Sequence, residues 1–452
     1  MLFTDKSATF FENAINSSII PLYCNTKGFI NSMAMDIDFL KCEAEVNKGR
    51  KHFHLMVKPI GPVCNLRCKY CYYIEKSKIY NKKNPEYVMS DEVLEAYIKG
   101  YIDSQPTENP RVVFAWQGGE PTLLGIDFFE KALLLQKKHT DGRKIVNTLQ
   151  TNGMFIDNKW AAFFKKHDFL IGISIDGPQD LHDAYRKNQA GQGSWKRVMQ
   201  SIELLKKHGV RFNTLTVINR LNAQYPLRVY EFLKRIGSTW MQFIPIQERR
   251  ATDKYELLQL VANDYDGETI VTEESVLPEQ WGNFLVQVFW QWVRNDVGKI
   301  FVKQFDCALE AWCGYNPTAC VLSQSCGDGL VMEHNGDVYA CDHFVYPQFK
   351  LGNILEQNLK EMATSARQEQ FGKDKRDTLS KQCKDCKYLV ACNGECPKHR
   401  FVVNKDGEKV AYLCKGYYTF FNYAAPFLHA MRTLMKNGKE AADIMTFLSM
   451  EK

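Results

Sequence analysis

The chain has 452 residues, 45% of them hydrophobic and 24% charged, with a formal charge of +6. That balance excludes a mainly disordered chain, and the length admits two or three domains or one barrel with an appended module. No run approaches the roughly 18 consecutive apolar residues of a membrane span, and Met1 to Asn13 lacks a basic segment followed by an apolar one. A cytoplasmic protein with no membrane partner is therefore expected. Basic residues are dispersed apart from a Lys-rich stretch at 372–387, read as a solvated connection, so no nucleic-acid partner is expected either. Fifteen cysteines in a reducing compartment point to metal or redox chemistry rather than disulfides.

Residues 1–50 form an N-terminal extension with apolar pieces but no strong period, and no role is assigned to them. Cys24 and Cys42 there have no partner at ligand spacing. From residue 51 onward, short β-branched or aromatic runs alternate with helical patterns. Strands are predicted at Phe53 to Val57, Val112 to Trp116, Ile145 to Leu149, Leu170 to Ser174, Phe212 to Val217 and Trp240 to Ile244. Helices are predicted between them, including Asp91 to Asp103 behind an N-cap at Ser90, Asp127 to Lys138, Ser194 to His208 and Tyr225 to Ile236. Six βα units in series predict an α/β fold with a parallel sheet, curled as a partial (β/α)6 TIM-like barrel.

In such folds the loops at the carboxyl ends of strands carry the chemistry. The loop after the first strand holds Cys64, Cys68 and Cys71 in a CxxxCxxC pattern. Three thiolates leave one iron of a [4Fe-4S] cube open to a small molecule, although clusters of similar spacing also bind zinc. The next three loops are Gln117-Gly118-Gly119-Glu120-Pro121-Thr122, Gln150-Thr151-Asn152-Gly153 and Ser174-Ile175-Asp176-Gly177-Pro178. Each alone is an ordinary turn. Together with the cysteine loop they resemble the radical S-adenosylmethionine (SAM) superfamily over roughly residues 52–250. The resemblance implies that SAM chelates the open iron through its amino and carboxylate groups. Gly119 would face the amino group, Ser174 the ribose or methionyl part, and Arg186 the carboxylate; Tyr70 and the backbone near Gln247 would flank the adenine. The plainer readings are a turn cap for Ser174 and a surface pair with Asp183 for Arg186.

Residues 277–297 read as a helix whose aromatic stripe, Trp281 to Trp292, belongs to the core. Beyond it the thiols cluster. Leu330 to His334, Asn335-Gly336 and Asp337 to Cys341 form a hairpin signal with a type I′ turn, putting Cys341 on the returning strand. Cys320, Cys326, Cys341, Cys383, Cys386, Cys392, Cys396 and Cys414 suffice for two fully ligated cubes, with zinc as the competing reading. Their pattern resembles the SPASM twin-cluster domain of peptide-modifying radical enzymes. By that resemblance Cys320, Cys326, Cys341 and Cys396 hold one [4Fe-4S] cluster and Cys383, Cys386, Cys392 and Cys414 the other, three clusters in all. Cys307 and Cys313 are left over and compete with Cys320 for its place. The expected division is 1–50, a radical barrel at 51–300, the cysteine-rich module at 301–425 and a helical tail at 426–452.

Within this group Cys320-xxxxx-Cys326, Gln242 to Ile246, and Cys341-Asp342-His343-Phe344-Val345-Tyr346-Pro347 resemble the anaerobic sulfatase-maturating enzymes. That implies oxidation of a cysteine or serine in a Cys/Ser-x-Pro-x-Arg segment of a sulfatase to formylglycine, with flavodoxin or ferredoxin as electron donor. Asp342 would be the general base, or an acceptor that orients Cys341. Two other readings stay open. One is a different peptide-modifying enzyme, such as a thioether-forming one, for whose leader-binding domain about 50 residues are short. The other is a non-catalytic iron-sulfur or zinc scaffold.

Overall fold

The computed structural model describes residues 53–80, 87–262 and 264–450; the N-terminal extension with Cys24 and Cys42 lies outside them. Six parallel strands follow one another in space as in sequence: β1 (His54–Lys58), β2 (Arg111–Trp116), β3 (Lys144–Thr151), β4 (Leu170–Ser174), β5 (Phe212–Ile218) and β6 (Trp240–Pro245). The crossover helices include α1 (Asp91–Ser104), α2 (Gly125–His139), α3 (Asn158–Lys166), α4 (Gln179–Tyr185), α5 (Trp195–His208) and α6 (Pro226–Arg235). Alternation within strands drives the layering. In β2, Val112, Phe114 and Trp116 are buried and meet the rings of Tyr97 and Phe129 from the flanking helices. Ser90 caps α1 as expected, its hydroxyl accepting from the Val93 amide at 3.3 Å.

The sheet does not stop at six strands. β7 (Phe301–Val302) pairs with β6, while β8 (Gly329–Glu333) lies parallel to β1 and is followed by the antiparallel β9 (Asp337–Tyr339) and β10 (Lys350–Asn353). The hairpin of the cysteine-rich module thus continues the barrel sheet, and residues 300 and 301 do not separate two independent sheets. The second expected division, at 425 and 426, falls inside one helix, α10 (Cys414–Lys436). That helix is held by the aromatic stripe of α7 (Pro278–Asn295): Trp281 meets Tyr417, and Phe289 meets Phe420 and Phe427. Among the described residues no helix is long and apolar enough to cross a membrane.

Two local expectations change. Asn335 keeps a negative φ, and only Gly336 is left-handed (φ +85°), so the hairpin turn is not type I′. The Gly336 amide closes onto the Glu333 carbonyl at 3.0 Å, and the Asn335 side chain accepts from the Asp337 amide at 3.2 Å, which holds Asn335 in place without the rare conformation. The returning strand ends at Tyr339, leaving Cys341 just beyond it at the head of a short 3-10 turn. The stretch at 372–387 is largely helical, with α8 (Ala366–Asp377) and a turn at Lys381–Lys384, and it buries Lys375 completely.

Candidate active site

The three-thiol loop leaves β1 and is fastened by backbone bonds to the segment that follows α4. The Arg67 amide donates to Lys187 at 2.7 Å and the Lys69 amide to Tyr185 at 3.0 Å. The Cys64 sulfur accepts from the Leu66 amide at 3.4 Å and the Asn152 side chain at 3.6 Å. Burial pushes the Cys64 thiol up to about 11 and the Cys68 thiol up to about 12, and the neighbouring thiols add to both. As free thiols they would stay protonated; a cluster bound there would supply the positive charge that makes them thiolates.

Gly119 approaches this loop so closely that a Cβ would overlap the Val63 carbonyl oxygen and come within 2.9 Å of the Pro62 carbonyl carbon. Its neighbour Glu120 is fully buried and accepts from the Thr151 hydroxyl and the Asn152 amide at 2.7 Å each, and from the Thr122 hydroxyl at 2.5 Å. One carboxylate thereby ties the loops after β2 and β3 together. Asn152 carries the tie to the cysteine loop by donating to Asn65 at 2.8 Å. Glu120→Gln turns an acceptor into a donor facing donors. It is expected to cost about 1–3 kcal/mol, read as a lower midpoint of anaerobic thermal unfolding.

Tyr70 and Arg186 come together. Arg186 is buried and donates to the Tyr70 hydroxyl at 2.9 Å, and that hydroxyl is also bonded to the buried carboxylate of Asp176. Arg186 therefore makes no surface pair with Asp183, and its Nε points into the interior without a protein acceptor. Ser174 accepts from Gln150 at 2.9 Å rather than capping a turn. Only the backbone of Gln247 is expected at the site. Its side chain turns away to donate to Glu395 of the cysteine-rich module at 3.0 Å, while its neighbours Ile246 and Glu248 line a cavity of about 350 Å³ with Cys68, Tyr70 and Cys71.

In the module, the eight thiols fall into two groups. Beyond the effect of burial, Cys341 is pushed up by Cys320 and Cys326, and Cys396 by the Glu395 carboxylate and then by Cys326 and Cys341. Cys392 is likewise pushed up by Cys414, Cys383 and Cys386. Cys307 lies in the apolar core, its sulfur accepting from the Ala319 amide at 3.3 Å, and Cys313 caps the carboxyl end of α9 (Lys303–Trp312). Among the described residues no three Cys, His, Asp or Glu side chains converge on a single-ion site.

Asp342 follows Cys341 and reaches back to the barrel. It forms an ion pair with Lys58 at the end of β1 and accepts from the Tyr72 hydroxyl at 2.6 Å. Burial opposes its charge, but Lys58 and His343 outweigh that and hold the carboxyl down at about 2. It is ionised at neutral pH. The next residue, His343, lies 3.5 Å from the Cys396 sulfur.

The radical SAM superfamily model matches residues 59–233, and the iron-sulfur cluster-binding SPASM model matches 325–387. The chain is 49% identical to the serine-type anaerobic sulfatase-maturating enzyme of Bacteroides thetaiotaomicron, across 88% of this chain and 95% of that one. The chain belongs to the anaerobic sulfatase-maturating enzymes. The cysteine-type enzyme of Clostridium perfringens is 34% identical across 82% of this chain and 96% of its own. The solved structure of native anSMEcpe with bound AdoMet superposes with a TM-score of 0.73 at 33% identity, covering 84% of this chain and 99% of that one. The same protein has been solved with AdoMet and a Cp18Cys peptide.

The enzyme is thus a protein-modifying radical SAM oxidoreductase, and several of its interior groups escaped sequence reasoning. Lys58 looks like the end of a strand, and nothing local announces its partner in the module. Tyr72 carries no local signal of its bond to Asp342, and Glu120 stands in the sequence only as part of a turn. The signal that could have found Glu120 is its place in a loop whose neighbours, Thr122, Thr151 and Asn152, are all donors.

Proposed function

We propose that the enzyme binds SAM at the iron left open by Cys64, Cys68 and Cys71, carries two further four-thiolate clusters, and oxidises a serine of a sulfatase Ser-x-Pro-x-Arg segment to formylglycine. The observation that carries this reading is Tyr72. It follows the last thiol of the loop and donates to Asp342, so a carboxylate ionised at neutral pH stands beside the three-thiol site. The cavity beside Cys68 and Cys71 and the unpartnered Nε of Arg186 fit a bound SAM. Bound there, the cluster and cofactor supply a 5′-deoxyadenosyl radical able to take hydrogen from an unactivated carbon.

The protein's own residues do the rest. Arg186 offers a donor to the cofactor carboxylate while Tyr70 and Asp176 fix its guanidinium. Gly119 faces the amino group, Ser174 bonds the ribose or methionyl part, and the backbone beside Gln247 flanks the adenine with Tyr70. Asp342 accepts the hydroxyl proton of the target as its Cβ is oxidised, held in line by Lys58 and Tyr72. The aldehyde is reached by loss of one hydrogen atom from Cβ, one proton to Asp342 and one electron, for which clusters held by the module thiols would be the acceptors. With a cysteine target the thioaldehyde would hydrolyse with release of sulfide. Serine is favoured because the serine-type relative is 49% identical and the cysteine-type one 34%. The six βα units supply the radical barrel, whose sheet the module hairpin continues, and Cys320 to Cys414 the ligands of the further clusters. The enzyme works in the cytoplasm with flavodoxin or ferredoxin as donor.

Anaerobic reconstitution is expected to give about twelve irons. Incubation with SAM, a reductant and the serine peptide should yield 5′-deoxyadenosine and a peptide lighter by two hydrogens in mass spectrometry. Zinc without cofactor cleavage would reject the reading, and oxidation of the cysteine peptide alone would reject the serine preference.

A further inference from the structure

Two cations are buried among the thiols of the module with no carboxylate in ion-pair contact among the described residues. Lys375, fully buried on α8, donates to the carbonyls of Cys320 at 2.5 Å and Val321 at 3.0 Å. Arg400, also buried, donates through Nη1 to the Lys375 carbonyl at 2.7 Å, through Nε to Gly394 at 2.8 Å, and through Nη2 to Asn393 at 3.0 Å and Glu395 at 3.2 Å. Asn393, Gly394 and Glu395 are consecutive left-handed residues, with φ of 49°, 68° and 58°. They form the turn between Cys392 of one group and Cys396 of the other. The guanidinium thus clamps the bend that sends two nearby thiols in different directions.

Apart from the Thr378 hydroxyl, 3.4 Å from Arg400 Nη1, the two cations bond only carbonyls, and buried charge so placed needs negative charge nearby. A [4Fe-4S]2+ core with four thiolates carries a net charge of about −2 and would supply it. The two cations are unequally placed. Lys375 acts on Cys320, Cys326 and Cys396, while Arg400 interacts first with Cys383 of the other group, then with the Glu395 carboxylate, and then with Cys396 and Cys326.

We propose that Lys375 and Arg400 are the counter-charges of the two module clusters and raise their reduction potentials, Lys375 acting on the Cys320, Cys326, Cys341 and Cys396 cluster and Arg400 on both. This rests on the reading that each group holds a cube. Positive charge beside a cluster stabilises its reduced form, because reduction adds negative charge. The cluster beside Asp342 has both cations next to it, which makes it the better acceptor for the electron that leaves the substrate.

The test is a redox titration of the reconstituted full-length enzyme followed by electron paramagnetic resonance, in which the signal altered by SAM marks the open-iron cluster. Lys375→Met should lower one of the other two midpoints by at least the roughly 59 mV that a tenfold weaker one-electron reduction represents. Arg400→Gln should lower both, and Lys375→Arg neither. If Lys375→Met loses iron, Lys375→Gln carries the comparison, since its amide keeps a donor for the Cys320 carbonyl. Unchanged midpoints in variants that keep their iron would overturn the inference and leave the cluster reading intact. Loss of the clusters from both neutral variants, with retention in Lys375→Arg, would also overturn it, because the charge would then serve assembly rather than potential. A wild-type enzyme with a single reducible cluster would instead defeat the cluster reading itself.

Discussion

Asp342→Asn is expected to remove most peptide oxidation and, in the same protein, to lower stability by about 3–5 kcal/mol. The two effects have different origins. Stability falls because Lys58, 2% exposed, loses the only carboxylate with which it is paired among the described residues, and an uncompensated buried charge is costly. Oxidation falls because no carboxylate remains to take the hydroxyl proton. Adding Lys58→Met to Asp342→Asn separates them. The double variant should regain most of the lost stability, because both charges are gone, yet stay unable to oxidise the serine peptide. Anaerobic denaturation and peptide mass spectrometry on the four proteins complete the cycle. Recovery of oxidation together with stability would reject Asp342 as the base and leave it as the ion-pair partner that joins module to barrel.

Gly119→Ala is expected to have an effect of similar size at the other side of the site. The added methyl meets backbone, the Val63 carbonyl and the Pro62 carbonyl carbon, and not the yielding end of a side chain. Val63 immediately precedes Cys64, so relief of the overlap must move the loop that carries the first thiol. A cost of about 1–3 kcal/mol follows from overpacking, and the displaced loop should lose its cluster and SAM binding. Iron should fall by about one third, from roughly twelve to eight, with the module clusters retained. A Gly119→Ala enzyme with full iron and unaltered SAM cleavage would contradict the close approach that the site depends on.

Much of the fold was legible because the signals were local. Each of the six strands begins or ends within a residue or two of its apolar run, and Ser90 announced α1 through a short-range bond. The polar loops at the strand ends were legible for the same reason, since topology alone assigns them to one rim. What stayed hidden depends on contacts between distant segments. A carboxylate after Cys341 does not reveal that its partner is Lys58, and Gln247 at the end of β6 does not reveal that its amide turns toward Glu395. Lys375 sits in a sequence that is mostly lysine, aspartate and glutamine, the composition of a solvated surface. Its burial follows from the packing of α8 against the Cys320 loop, where backbone carbonyls and thiols replace water. The Asn-Gly turn misled in a smaller way: Asn335 has a side-chain bond to Asp337 that satisfies the turn without a left-handed residue.

The central claim is that a radical generated at the three-thiol loop removes hydrogen from the β-carbon of the target serine. It is tested most directly with a Ser-x-Pro-x-Arg peptide deuterated at that carbon, incubated anaerobically with the reconstituted enzyme, SAM and a reductant. Deuterium should appear in 5′-deoxyadenosine in step with formation of the aldehyde. Aldehyde formed with no deuterium in the 5′-deoxyadenosine would contradict the account.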